Sequence, residues 1–246
     1  MADVDDWFTT LARARALSQE ERCELTRNGF VVVSGPTPSS DVTRLAEAYD
    51  EVVTSADRTD VRHGSTTTRV TDFVNRDSLF DPLYVYPPAL DASCDVIRQP
   101  FRLSTMHART VRPHVAAQAL HVDFERAADG FPMVGFIIMV DEFRSDNGAT
   151  RFVPGSHLTT NVSGVDGEVM ACGPAGSIII YNGSVWHGWT ANRSAKPRRS
   201  IQGAFIRREC QSGVDLSARM RPETLARISG LAKYLLDVKR LTSRKE

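Results

Sequence analysis

The sequence has no stretch able to cross a membrane. Its purely apolar runs are a few residues long, such as Ile178-Ile179-Ile180, where a helical span needs about 20. Charge of one sign does not prevail either. Lys+Arg and Asp+Glu both count 30, for a formal net charge of +0, so no general field would gather nucleic acid or an anionic membrane. Arginine-rich patches occur at 193–199, 207–208 and 239–245, but two of them lie in strand-like sequence. Cysteine is scarce: Cys23, Cys94, Cys172 and Cys210 lie far apart, with no CxxC pair. That excludes a zinc knuckle or redox dithiol and leaves four free, buried thiols as the expectation. The opening MADVDDWF is acidic and lacks the basic and apolar regions of a secretory leader, so a cytoplasmic location is expected. Repeats and low-complexity tracts are also missing. What remains is a chain of 246 residues, 41% hydrophobic and 24% charged, the profile of one globular domain with a sizeable core.

Helical sequence comes first. Ser18-Gln19-Glu20-Glu21 reads as a capping box, and the helix it starts stops at Asn28-Gly29. Phe30 to Val33 is a short β-branched run. Asp41 is placed to cap a helix through about Val53, with Val42, Leu45, Ala46 and Tyr49 on one face. Residues 54–100 are polar and weakly periodic, and Pro82, Pro87, Pro88 and Pro100 break long elements; the stretch reads as a lid over a site. From 101 onward strands are expected at 101–111, 115–124, 133–140, 149–153, 168–171, 177–181 and 200–206. Turn signals such as Asp146-Asn147-Gly148 and Asn182-Gly183 separate them. The tail from Pro222 to Leu241 reads as one amphipathic helix. The fold class is therefore mainly β with flanking helices, a jelly roll. One domain over 1–246 is expected: helical support at 1–53, the lid at 54–100, the jelly-roll core at 101–210 and a C-terminal helix at 220–241.

Chemistry concentrates in the strand-rich part of the chain. In a strand, His121 and Asp123 would point to the same side. Alone, that triplet is equally a strand end with a plain His–Asp hydrogen bond. His187, just past the turn Asn182-Gly183, offers a third ligand. Two imidazoles and a carboxylate leave coordination positions open and suit Fe(II) with oxygen and a chelating co-substrate, although zinc accepts the same set. Arg198-Arg199-Ser200 bears on the choice. An arginine fork holds a carboxylate by two parallel bonds, and a serine two positions on faces the same way. Arg198 and Ser200 are thus placed to grip the far carboxylate of a dicarboxylic keto acid. Arg199 takes that role if the preceding loop bulges by one residue; the Arg-x-Ser pattern favours Arg198.

Four stretches in order carry a resemblance to a known family: 25–33 (LTRNGFVVV), 118–123 (QALHVD), 147–157 (NGATRFVPGSH), and His187-Gly188 through Asn192-Arg193-Ser194 to Pro197-Arg198-Arg199. Together they resemble the phytanoyl-CoA dioxygenase-like (PhyH) oxygenases. The resemblance implies a cupin-like double-stranded β-helix using Fe(II), 2-oxoglutarate and O2, with succinate and CO2 as co-products. It implies His121, Asp123 and His187 as catalytic iron ligands and Arg198 as the 2-oxoglutarate arginine. Gln118 falls where some members place an amide on the co-substrate, and Thr150 where some place a threonine. Asp123 departs from the small residue of the family's halogenases, so hydroxylation is expected over chlorination.

The other polar candidates have plainer readings. His157 closes a tight turn and is expected to bond within it. His107 and Arg109 alternate on one strand and face either the pocket or the core. Trp186 and Trp189 flank His187 as walls or as packing. His63 and His114 have no role, and Arg58, Arg62 and Arg69 are too scattered to form a patch. A small or medium, largely apolar metabolite is the expected substrate. Neither nucleic acid nor membrane is an expected partner, and monomer and homodimer stay open. Two readings of other classes remain: a zinc hydrolase on the same triad, which leaves Arg198 and Ser200 unexplained, and a silent jelly-roll binder, which has no need of all four groups.

Overall fold

Local chemistry sets the entry of the chain. The computed structural model describes residues 4–159 and 167–238. Helix α1 spans Val4–Arg13 and α2 spans Gln19–Asn28. The capping box forms as expected: the Glu21 amide donates to the Ser18 hydroxyl, and the Ser18 amide to the Glu21 carboxylate. Gly29 ends α2 at φ 83°, a left-handed conformation that costs a glycine little. The chain then enters β1, Phe30–Val33, followed by α3, Val42–Ser55.

The β1 strand belongs to a seven-stranded antiparallel sheet with β2 (Val61–His63), β3 (Thr67–Val70), β4 (Phe101–Val111), β5 (Met133–Met139), β8 (Ile178–Asn182) and β10 (Arg198–Arg207). Its order is β1-β8-β5-β10-β4-β3-β2. A three-stranded sheet, β7-β6-β9, is built from β6 (Thr150–Phe152), β7 (Val169–Ala171) and β9 (His187–Trp189). Alternation sorts the large sheet into two faces. Val134, Phe136, Ile138, Ile178, Ile180, Ile201 and Phe205 pack with the helices. Ile137, Met139, Ile179 and Tyr181 pack with Phe152 and Ala171 of the small sheet. The result is a double-stranded β-helix backed by helices, the expected architecture. Among the described residues no helix is long and apolar enough to cross a membrane.

Several expectations need correction. Residues 54–100 are not an irregular lid throughout: β2 and β3 extend the large sheet, and α4 (Asp81–Tyr84) and α5 (Pro87–Ile97) sit in the helical core. Pro82, Pro87 and Pro88 lie in first helical turns, where the missing N–H has no partner to lose; only Pro100, between α5 and β4, stands outside an element. Phe73, Phe80, Leu83, Tyr84 and Leu90 are buried there. Residues 115–124 do not form a strand; only Val115 and His121 make isolated bridges. The strand at 187–189 was hidden by its shortness. Asp41 occupies the cap position of α3 but makes no side-chain cap bond. The expected C-terminal helix is two short ones, α7 (Pro222–Arg227) and α8 (Gly230–Leu235), because Ser229 starts a new cap at Ala232; a further short helix, α6 (Leu216–Arg219), precedes them. The end of that expected helix, 239–241, lies outside the described residues. Of the four free cysteines only Cys94 is buried; Cys23 and Cys172 are exposed.

Asp91 ties the helices together. It is 2% exposed, accepts the amides of Ala16 and Leu17, and pairs with Arg22 at 2.8 Å. Arg22 also bonds Asp95. Burial pushes the Asp91 carboxyl up, but the Arg22 guanidinium and the two amides outweigh it and hold the group below its ordinary range. An Asp91→Ala change leaves the half-buried Arg22 with Asp95 alone and strips two amides of their acceptor, and is expected to cost about 2 kcal/mol. A folded-state pKa below the unfolded one gives stability that is complete above about pH 4 and lost as pH falls through the folded value. Thermal melts should therefore show a constant gap between wild type and variant from about pH 5 upward, narrowing below about pH 4.

Candidate metal centre and its cavity

The two sheets meet where β9 pairs with the extended segment 115–123. His121 and His187 are direct backbone partners: each amide donates to the other's carbonyl, at 3.0 and 2.9 Å. Such a pair sets two side chains side by side, and the imidazole centroids lie 4.5 Å apart. The amide of Asp123 donates to the Gly183 carbonyl, which carries its carboxylate in beside them. Asp123 Oδ1 is 3.6 Å from His121 Nε2, and Oδ2 is 3.5 Å from His187 Nε2. One donor atom from each residue lies within 4.8 Å of the other two. The triplet converges although its segment is not a ladder strand.

The ring orientations suit a metal. His187 Nδ1 faces the Val185 carbonyl at 3.0 Å, and His121 Nδ1 faces the Ala119 carbonyl at 3.3 Å. With Nδ1–H donating outward, each Nε2 faces Asp123 and is the nitrogen left to bind a metal once it carries no proton. Burial lowers the pKa of His187, outweighing the Asp123 charge that raises it. The Asp123 carboxylate, pushed up by burial, is held down to about 2 by the His121 hydrogen bond, the His187 charge and Tyr181. The same hydrogen bond raises His121; its proton is the one a metal would displace. Metal–ligand distances of about 2.1 Å bring adjacent donor atoms to about 3 Å, a small contraction from the separations here.

Tyr181 is a participant the sequence did not announce. Its hydroxyl donates to Asp123 Oδ2 at 2.6 Å. Gly135, its partner across the β5–β8 ladder, leaves the space for its ring: a Cβ there would stand 2.2 Å from Tyr181 Cζ. Tyrosine at the last apolar position of a strand, opposite a glycine, is the signal that could have found it. A Tyr181→Phe change removes this support while keeping the ring, and divalent-metal affinity is expected to fall about 10- to 100-fold. Titration with Mn(II) checks it; unchanged affinity would make the bond incidental.

The triad opens into a cavity of about 480 Å³. Arg198, Thr150, Gln118, His107, Arg109 and Trp189 all line it. Arg198 is 1% exposed; it donates from Nη1 to Ser200 Oγ at 2.9 Å and from Nη2 to the Gly148 carbonyl at 2.8 Å, and stacks 4.2 Å from the Phe143 centroid. Its Nε has no partner among the described residues. Burial lowers its pKa to about 10, so the guanidinium stays charged at neutral pH. Arg199 points away, gripped by Asp141 and Asp50. The Arg-x-Ser pattern thus picked the cavity arginine, but Ser200 has a different task. Fully buried and off the cavity wall, it donates to the Arg109 carbonyl and accepts from Arg198.

Other candidates separate clearly. His157 bonds the Thr26 carbonyl of α2, a structural contact across the fold and not the bond within its own turn that was expected. Trp189 is a cavity wall; Trp186 is not among the lining residues. His107 is pushed down to about 4 by burial, and the Arg69 charge acts the same way. Asn192 accepts from Ser194 and donates to the Arg112 and Lys196 carbonyls, so it shapes the loop that delivers β10. Arg62 and Arg69, scattered in the sequence, both line the cavity.

A family model described as Phytanoyl-CoA dioxygenase (PhyH) matches residues 25–200. The dioxygenase cdmA of Talaromyces verruculosus is 37% identical over 111 residues, which cover 41% of this chain and 37% of that protein. The dioxygenase cdmD of the same fungus is 33% identical over 113 residues, 40% of this chain and 37% of that protein. The chain thus matches little more than a third of the length of these relatives. Among solved structures, the carbocyclase SnoK from nogalamycin biosynthesis superposes with a TM-score of 0.67 at 18% identity, covering 85% of this chain and 93% of that one. HygX from Streptomyces hygroscopicus, with nickel and 2-oxoglutarate bound, gives 0.66 at 17% identity, covering 80% and 90%. At such identities the likeness is one of fold.

Proposed function

The chain belongs to the phytanoyl-CoA dioxygenase family, and from that premise we propose that it is an Fe(II)- and 2-oxoglutarate-dependent dioxygenase that oxidises a small-molecule metabolite. The observation that carries the reading is the pairing, in one cavity, of a two-histidine, one-carboxylate donor set with a buried arginine that makes no ion pair among the described residues. His121, Asp123 and His187 would hold the metal, and Arg198 the remote carboxylate of 2-oxoglutarate. When bound, iron supplies the oxygen chemistry and the decarboxylation of the keto acid to succinate, which no side chain here could perform.

The protein's own part is placement. The outward Nδ1–H bonds of both histidines hold their rings in register, and Tyr181 holds the carboxylate. Arg198, fixed by Ser200 and Gly148, presents a fork to a planar anion. Gln118 and Thr150, both on the cavity wall, would add polar contacts to the same co-substrate. Phe152 stacks on the His187 ring and keeps one side of the centre dry. Hydroxylation is the outcome we favour, because Asp123 keeps its carboxylate. A zinc hydrolase would need a general base; Asp123, the only carboxylate among the described residues lining the cavity, belongs to the donor set, and burial pushes His107 down to about 4, where it is a weak base.

Calorimetry tests this reading. A keto acid that chelates the metal should bind Mn(II)-loaded protein at least about tenfold more tightly than metal-free protein, a gain of about 1.4 kcal/mol. Glutarate, which lacks the keto group, should show little such gain. Equal affinity of 2-oxoglutarate with and without metal would contradict the proposal.

A further inference from the structure

The cavity has a charge pattern that neither metal nor co-substrate uses. On the ladder joining β2, β3 and β4, Arg62 is the direct partner of Arg69, and Arg69 of Arg109. Three guanidinium-bearing positions therefore form one row across adjacent strands, and all three line the cavity. Like charges directly opposite one another destabilise a sheet. None of the three makes an ion pair among the described residues. Arg62 donates only to the carbonyls of Thr59 and Val61. Arg109 is 8% exposed, its Nε has no partner among the described residues, and its guanidinium lies 5.3 Å from the Trp189 ring centroid. The acid that Arg69 feels is Asp123, already engaged by two histidines and Tyr181. Arg198, on β10 two positions from the row, has the co-substrate as its own partner.

The far end of the cavity differs. The β4–β10 register pairs Arg109 with Ser200 and Leu103 with Phe205, so moving toward Ile206 leads away from the arginines. There Met133, Ala204 and Ile206 form an apolar cluster with Phe124. A ligand filling this cavity meets cations at one end and hydrocarbon at the other.

We propose that the row Arg62–Arg69–Arg109 is an oxyanion subsite for the primary substrate, which carries a carboxylate or phosphate group at one end and an apolar body directed toward Met133 and Ile206. This assignment of the anion to the primary substrate rests on the oxygenase reading, in which Arg198 is occupied by 2-oxoglutarate. It replaces a largely apolar substrate with an amphiphilic one. The two ends would also orient it, since only one alignment places its charge on the row while its body passes the triad.

The full chain, loaded with Mn(II), can be titrated calorimetrically with inorganic phosphate and separately with benzoate, at ionic strength fixed with NaCl, with and without saturating 2-oxoglutarate. At least one anion should bind saturably in the presence of 2-oxoglutarate. The double variant Arg62→Gln/Arg69→Gln, at exposed positions, should weaken that binding about tenfold or more while 2-oxoglutarate affinity stays within about twofold. The same variant should melt no lower than wild type in anion-free buffer, since it removes repulsion. Binding of phosphate alone identifies a phosphate ester, and of benzoate alone a carboxylic acid; binding of both supports the subsite without choosing. The proposal is overturned if neither anion binds, if the double variant binds as well as wild type, or if 2-oxoglutarate displaces the anion. Failure of 2-oxoglutarate to bind, with phosphate still captured by the row, would sink the oxygenase reading and leave the oxyanion subsite standing.

Discussion

Replacing Arg198 with alanine is expected to weaken 2-oxoglutarate binding by at least about 100-fold, or about 3 kcal/mol, while leaving divalent-metal affinity nearly unchanged. The size follows from the surroundings. Arg198 is fully enclosed, and two of its three nitrogens are spent on Ser200 and the Gly148 carbonyl. Those bonds and the Phe143 ring beneath fix the fork before any anion arrives, so little conformational entropy remains to be lost on binding. A carboxylate entering there trades water for a charged partner in a dry site. Take the guanidinium away and the carboxylate is desolvated with no compensation. Lysine should restore only part of the affinity, because an ammonium can neither stack on Phe143 nor offer two parallel donors. Arg199→Ala is the matched control. Its partners are Asp141 and Asp50, so it should lower stability by about 1 kcal/mol and leave 2-oxoglutarate affinity within about twofold. A large loss for Arg199 and none for Arg198 would reverse the assignment.

Turnover should vanish on changing His187 to alanine, with a loss of at least about 1,000-fold, equivalent to about 4 kcal/mol of barrier. Metal retention should fail in the same variant. The backbone of His187 is held on both sides, by His121 and by Phe152 of β6, so the chain path should survive. Loss of a buried ring is expected to cost about 1–3 kcal/mol of stability, which circular dichroism melts would register apart from activity. A variant that keeps full metal affinity would remove His187 from the donor set.

Much of this site is legible in the amino-acid sequence. His121, Asp123, His187 and Arg198 each stand out because ligand chemistry needs few residue types, and their spacing matches a recurring pattern. The fold class is readable from strand-length β-rich segments divided by Gly, Pro and Asn turns. Elements without such local signals are not. The strand at 187–189 is only three residues long, and its identity comes from partners at Phe152 and His121 that sequence cannot pair. Residues 54–100 mislead because proline signals a break in mid-helix and a start in the first turn, and the two look alike in sequence. Arg62 and Arg69 look scattered because their adjacency to each other and to Arg109 exists only across the β2–β3–β4 ladder. Ser200 lies on the expected face, yet its hydroxyl is engaged by Arg109 and Arg198. The strand face tells a side chain's direction and not its partners.

The division of labour between the sheets explains how one small chain can host this chemistry. The large sheet uses one face against helices for stability and the other for the cavity. The small sheet contributes β9 and the neighbouring extended segment, which bring the donor atoms together from residues far apart in sequence. Gly135 shows how tightly the two tasks are joined: its missing Cβ lets the Tyr181 ring lie across β5 and reach the Asp123 carboxylate.

Everything proposed for the chemistry depends on one cavity holding both a metal, on His121, Asp123 and His187, and a keto acid anchored by Arg198. Visible absorption of the purified chain, first with Fe(II) under argon and then with 2-oxoglutarate added, reads both at once. A weak charge-transfer band should appear only when iron and keto acid are present together. It should be lost in His121→Ala and require much more 2-oxoglutarate in Arg198→Ala. Folded, iron-loaded protein that shows no band at saturating 2-oxoglutarate would contradict the joint site.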